Sequence, residues 1–127
     1  MESIVKYQKF VCPCCGYDGL DTKPYKDIPN PPYPINLTPP YSNHWGEGSY
    51  DVCLCCGFEY GLDDEPGPGL KPDSFESYLK NWVQNESCKW FEPKSKPTDW
   101  DIVKQLEAAG ISVPEYIRLA RQLTGKK

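Results

Sequence analysis

The sequence predicts an α+β fold. A small β module built on two cysteine knuckles fills residues 1–70, with a proline-rich loop inside it, and about three helices from residues 71–127 pack on that module as one domain. Two observations predict the first part. Val11-Cys12-Pro13-Cys14-Cys15-Gly16 returns as Val52-Cys53-Leu54-Cys55-Cys56-Gly57. The repeat then continues, with Tyr17-Asp18-Gly19-Leu20-Asp21 after the first knuckle. Phe58-Glu59-Tyr60-Gly61-Leu62-Asp63, one residue longer, follows the second. Two short hairpins related by a pseudo-twofold about one metal ion account for the duplication. A third observation, a 3.6-residue apolar period beginning at Phe75, predicts the helices.

At 127 residues the chain is large enough for a modest core and small enough to profit from a bound metal. Its 4 Trp, 9 Tyr and 4 Phe supply bulky core material, while 14 prolines imply much irregular chain. Met1-Glu2-Ser3-Ile4-Val5-Lys6 has no apolar run to act as a signal peptide, and no later stretch suits a membrane. The expected location is cytoplasmic. There, Cys-x-x-Cys pairs are metal ligands more often than disulfides, and seven cysteines fit a full disulfide framework poorly. A formal net charge of −4, with scattered Lys and Arg, is the wrong footprint for gripping a phosphate backbone. Nucleic acid is thus an unfavoured partner, and an acidic face suits a basic protein.

Each element follows from local chemistry. Val5 to Val11 alternate as a strand into the first knuckle, and Ser49 to Cys53 form the strand into the second. Between them, Pro24, Pro29, Pro31, Pro32, Pro34, Pro39 and Pro40 interleave with Tyr25, Tyr33 and Tyr41, which excludes helix and central strand. That segment is either an ordered loop covering the metal site or a recognition surface for a partner. Asp63-Asp64-Glu65, ahead of Pro66-Gly67-Pro68-Gly69, lacks the alternating oxygens of a calcium loop and reads as a solvated turn. Asp73-Ser74-Phe75-Glu76 resembles a capping box, and Phe75, Tyr78, Leu79, Trp82 and Val83 form the stripe of a first helix. Glu86 to Glu92 is extended and carries Trp90 and Phe91 into the core. Thr98-Asp99-Trp100-Asp101 caps a second helix, with Trp100, Val103 and Leu106 on one face and Gly110 at its end. Ser112-Val113-Pro114-Glu115 starts a third, with Ile117, Ala120 and Leu123 inward.

Each knuckle offers three cysteines for two ligand roles. Cys12 and Cys15, with Cys53 and Cys56, are the natural set, because a two-residue spacing folds into one tight turn and Gly16 or Gly57 permits the positive-φ step that follows. Cys14 and Cys55 sit at the turn tips and point away; substitution of either for a ligand is the less favourable geometry. They are relics of the repeat or redox-active thiols beside the site. A Cys₄ site without an open position is structural, and zinc is the expected ion, with iron the alternative. Cys88 reads as a small core residue and His44 as a loop hydrogen-bonder. No catalytic constellation is present, so the expected protein is not an enzyme.

Cys12-Pro13-Cys14-Cys15-Gly16, the Cys53 to Tyr60 knuckle, Ser74-Phe75-Glu76-Ser77-Tyr78, Lys89-Trp90-Phe91 and Trp100 together resemble the cysteine-rich CPCC family of small bacterial proteins. The resemblance covers most of residues 10–107 and implies a stapled fold. Small acidic bacterial proteins of this kind suggest immunity partners of secreted toxins. Cys53 to Tyr60 and Gly67 to Phe75 also look like a rubredoxin's first knuckle and following loop, which gives the β module its zinc-ribbon/rubredoxin-like character. A rubredoxin's second knuckle follows its first, whereas here the Cys-Pro knuckle lies upstream. Three functions follow: a zinc-stapled binding protein, an iron electron carrier and a nucleic-acid-binding ribbon. For the first, Tyr33, Tyr41, Trp45, Asp63, Asp64 and Glu65 are the expected surface for a protein partner such as a bacterial toxin domain.

Overall fold

The structure, a computed structural model, describes residues 9–31, 33 and 37–118. The predicted fold class is overturned. Among the described residues there is no β-strand and no sheet; chain pairing is confined to three isolated antiparallel bridges, Phe10–Leu20, Tyr25–Gly48 and Val52–Glu59. The protein is a small helix-and-loop fold rather than a β ribbon carrying three C-terminal helices. The helices are α1 (Ser42–Trp45), α2 (Phe75–Gln84) and α3 (Ile102–Ala108), with a 3₁₀ turn at Pro93–Ser95 and helical backbone at 115–118. Most of the first predicted strand, and Ala120 and Leu123 of the third predicted helix, lie outside the described residues.

The physical reason is local. Tyr50 stands at φ 65° in the middle of the predicted second strand, a left-handed step that breaks an extended run. At the first knuckle Phe10 and Leu20 exchange both backbone bonds, at 2.9 and 3.1 Å, but Pro24 soon removes a donor from the departing chain. The knuckles therefore close with single bridges.

α2 is capped one residue after Asp73, the acid expected to cap it. Ser74 caps it by accepting from the Ser77 amide at 3.0 Å, and Leu79 and Trp82 are buried along the predicted stripe. Asp101 caps α3 by accepting from the Lys104 amide, and the chain leaves through Gly110 at φ 73° with the Ile111 amide donating to the Leu106 carbonyl. Trp90 is buried, as expected, but Phe91 is 60% exposed. Ser87 and Cys88, both at positive φ, turn the chain there, so the predicted extended run is bent. Among the described residues no helix is long and apolar enough to cross a membrane.

The core is aromatic and falls into two groups. Tyr41 stacks on Phe75 at 3.8 Å, and Tyr25 meets Tyr41, Trp45, Tyr60 and Phe75. In the second group Trp100 meets Trp82 and Trp90 edge-on, and Trp90 meets Tyr17. In the first group the described part of the proline-rich segment acts as a covering loop, with Pro24 and Tyr25 fully buried.

The acidic turn is solvated only in part, with Glu65 exposed and Asp63 half-buried. Asp64 is wholly buried, and its carboxylate accepts from the Tyr41 amide at 2.9 Å and the Gly61 amide at 2.8 Å. It is the clamp between the covering loop and the end of the second knuckle. Asp64→Ala leaves two buried amides without acceptors and should cost about 3 kcal/mol, whereas Asp64→Asn should cost about half as much. Urea unfolding of the metal-saturated protein measures both, and a loss below 1 kcal/mol for the alanine variant, well under the cost of two buried unpaired amides, would contradict the assignment.

Candidate metal centre

The two knuckles are the same backbone device. In the first, the Gly16 amide donates to the Cys12 carbonyl at 2.8 Å and the Cys12 amide to the Tyr17 carbonyl at 2.7 Å. In the second, the Gly57 amide donates to the Cys53 carbonyl at 2.9 Å and the Cys53 amide to the Phe58 carbonyl at 3.0 Å. Gly16 and Gly57 take φ 88° and 85°, so each turn needs its glycine. At Gly16 there is a second reason, because an added Cβ would lie 2.9 Å from the Gln105 carbonyl oxygen of α3.

These turns bring the four predicted ligands together. The sulfurs of Cys12, Cys15, Cys53 and Cys56 all lie within 4.8 Å of one another, and all four residues are buried. Cys12 Sγ is 4.0 Å from Cys56 Sγ, and Cys15 Sγ is 3.8 Å from Cys53 Sγ. Four thiolates around a tetrahedral ion with bonds near 2.3 Å would stand about 3.8 Å apart, so the spacing fits such an ion. Burial pushes the thiols of Cys12, Cys15 and Cys56 well up. Burial acts the same way on Cys53, but the thiols of Cys12, Cys15 and Cys56 and the Cys56 amide outweigh it and bring Cys53 well down. One thiolate is thus stabilised by its neighbours, and ionising the others requires a cation. Metal binding displaces those protons, so affinity falls as pH falls.

Cys14 and Cys55 do not point away, contrary to the sequence expectation. They are 2% and 0% exposed and lie in the same buried core as the four ligands. The pseudo-twofold extends to the helices. From α2, Tyr78 donates its hydroxyl to the Cys56 carbonyl at 3.2 Å, and the Phe75 carbonyl accepts from Cys14 Sγ at 3.6 Å. From α3, the Gln105 amide donates to the Cys15 carbonyl at 3.0 Å and to Cys55 Sγ at 3.5 Å. Each helix therefore grips the last ligand of one knuckle and the spare cysteine of the other. The Phe91 and Glu92 amides add bonds to the Cys55 and Leu54 carbonyls, fixing the second turn. Nothing in the sequence marks Gln105 or Tyr78 for this role, since Gln105 is an ordinary polar position on a helix and Tyr78 reads as part of the apolar stripe.

The expected partner residues are placed differently. Tyr41, Trp45 and Asp64 are buried, Tyr33 and Asp63 are half-buried, and Glu65 is exposed. Glu65 accepts from the Ser42 hydroxyl at 2.8 Å and Asp64 from the Tyr41 amide, so the acidic turn and the aromatic loop bind each other. His44 is exposed, with Nε2 3.2 Å from the Thr38 carbonyl, away from the sulfurs. Cys88 is half-buried and packs on the core.

The site defines a class: a small helix-and-loop protein with a buried Cys₄ cluster able to hold a metal. Two proteins of Bacillus subtilis strain 168 match the chain. Uncharacterized protein YozI is 29% identical over 99 residues, which cover 71% of this chain and 69% of the relative. Uncharacterized protein YoaQ is 29% identical over 85 residues, covering 60% of this chain and 58% of the relative. No family model matches the chain, and no solved structure matches it.

Gln105 orients a ligand without touching the ion. Gln105→Ala should fold and bind metal on the order of tenfold more weakly, as loss of an outer hydrogen bond does at other metal sites. Competition against a chromophoric chelator measures this, and unchanged affinity would remove Gln105 from the site.

Proposed function

We propose that a zinc ion occupies the Cys12, Cys15, Cys53 and Cys56 cluster as a structural staple, and that the protein acts without catalysis by binding another protein. The closed donor set carries this reading. Four buried sulfurs fill a tetrahedral shell and leave no position for substrate or water. The ion would join segments 38 residues or more apart in sequence and contribute folding free energy of about 10 kcal/mol, as structural zinc does in small domains.

Kinship with the CPCC family belongs to the same proposal and is supported by the duplicated knuckle and the Lys89-Trp90-Phe91 segment that seals the second turn. For a partner, the net charge of −4 favours a basic protein. The exposed Tyr50, Leu62, Leu70 and Phe91 supply apolar contacts that the buried Tyr41 and Trp45 do not. A bacterial toxin domain is the partner class we propose, with the chain as its immunity protein. A tetrahedral set of four sulfurs also suits iron, which is the second reading, with rubredoxin-like electron transfer as its consequence.

Elemental analysis and a visible spectrum of the native protein separate the two. One zinc per chain without colour is expected; iron with a reducible visible band would overturn the structural-zinc reading. On a zinc protein, stoichiometric binding and inhibition of a basic toxin domain encoded beside it tests the partner half.

A further inference from the structure

A cavity of about 220 Å³ lies between the covering loop, the start of α2 and residues 111–116. Its wall is largely aromatic. Tyr33 and Tyr41 come from the loop, Phe75 from α2 and Tyr116 from the segment after α3, with Leu79 adding apolar bulk. An engineered apolar cavity of about 150 Å³ holds benzene, so this one takes a molecule somewhat larger. Two wall residues bear on the choice of ligand. Tyr116 has a buried hydroxyl with no hydrogen-bond partner among the described residues. Glu76, which is exposed, is the one charged side chain in the wall.

Charge then sorts the occupants. An anion would meet the Glu76 carboxylate and no lysine or arginine in the wall. Two first-turn amides of α2 are also taken, the Phe75 amide donating to the Tyr41 hydroxyl at 2.9 Å and the Ser77 amide to Ser74 Oγ at 3.0 Å. A cation meets the carboxylate and the negative faces of aromatic rings, which attract it within about 6 Å of a ring centroid. The Tyr116 ring already draws one, with Lys80 Nζ 5.9 Å from its centroid. A primary ammonium buried in such a wall would leave N–H donors unpaired, whereas a quaternary one has none to lose.

We propose that this cavity binds a small quaternary ammonium compound that carries a hydroxyl or carbonyl oxygen. The methylated head packs against the aromatic wall, Glu76 balances its charge, and the Tyr116 hydroxyl bonds the ligand oxygen. Neither the identity of the metal nor that of a protein partner enters this assignment.

Choline is the probe, and its neutral carbon isostere, in which a tert-butyl group replaces the trimethylammonium head, is the control. The full native chain is titrated with each while the methyl NMR signals of Leu79 and Val113, both in the wall, are followed. Choline should shift both signals saturably, and the isostere should bind on the order of tenfold more weakly, the advantage a desolvated aromatic wall gives a cation. Glu76→Gln changes an exposed residue and should leave the fold intact. It should weaken choline about threefold, the size of an exposed ion pair, without altering the isostere. Tyr116→Phe should weaken both ligands, since both carry the hydroxyl. Equal affinity for choline and the isostere would overturn the inference, and so would the absence of saturable shifts at Leu79 and Val113. Contacts in the free protein between these methyl groups and a second copy, or a distant segment of the same chain, would overturn it too, because the cavity would already be filled. The metal reading stands or falls separately, by elemental analysis.

Discussion

Four buried thiols within 4.8 Å of one another set the terms for everything around them. Burial alone favours their neutral form, and their mutual contacts stabilise charge at Cys53 only. A cation at the centre reverses that balance and turns crowding into cross-linking. The constraint it imposes is topological. Cys12 and Cys56 belong to turns 44 residues apart in sequence, and closing the intervening chain is entropically costly unless one strong joint fixes both ends. Such a joint would make a sheet unnecessary, and single bridges do stand beside each knuckle.

What the chain between the knuckles does follows from this. It cannot run as helix or strand through its prolines, so its polar backbone has to be satisfied piecemeal. Asp64 does part of this by accepting two amides from different segments, and the Pro24 carbonyl does another part by accepting from the Ser49 amide. Tyr25, Tyr41 and Trp45 then supply the apolar area that a short irregular loop would otherwise lack. The acids and aromatics that look like a recognition surface in the sequence are consumed in holding the loop down.

Legibility in the sequence tracks the range of the interaction. The ligand set was readable because Cys-x-x-Cys-Gly spacing is a local geometric statement, and so were the capping segment before α3, the start of α2 to within a residue and the α2 stripe. The strands were misread because alternation in a short run says nothing about a partner. The left-handed Tyr50, whose ring lies over Gly61, is a tertiary accommodation. Asp64 looked like one of three surface acids because its burial is decided by amides at Tyr41 and Gly61. Gln105 was invisible for the same reason, since it touches residues 90 and 50 positions away.

The internal repeat is therefore more than a duplicated pair of ligands. Its symmetry continues into two helices of unrelated sequence, which reach the knuckles with different chemistry. At α3 an amide donates to the spare sulfur, whereas at α2 a carbonyl accepts from it. The sulfur at α2 donates and so carries its proton, and burial favours that form by pushing the Cys14 thiol up to about 11. The asymmetry lies in the first residue of α2 and a glutamine of α3, while the two knuckle backbones remain equivalent. A duplicated site can in this way keep its geometry while its two flanks take on different chemistry.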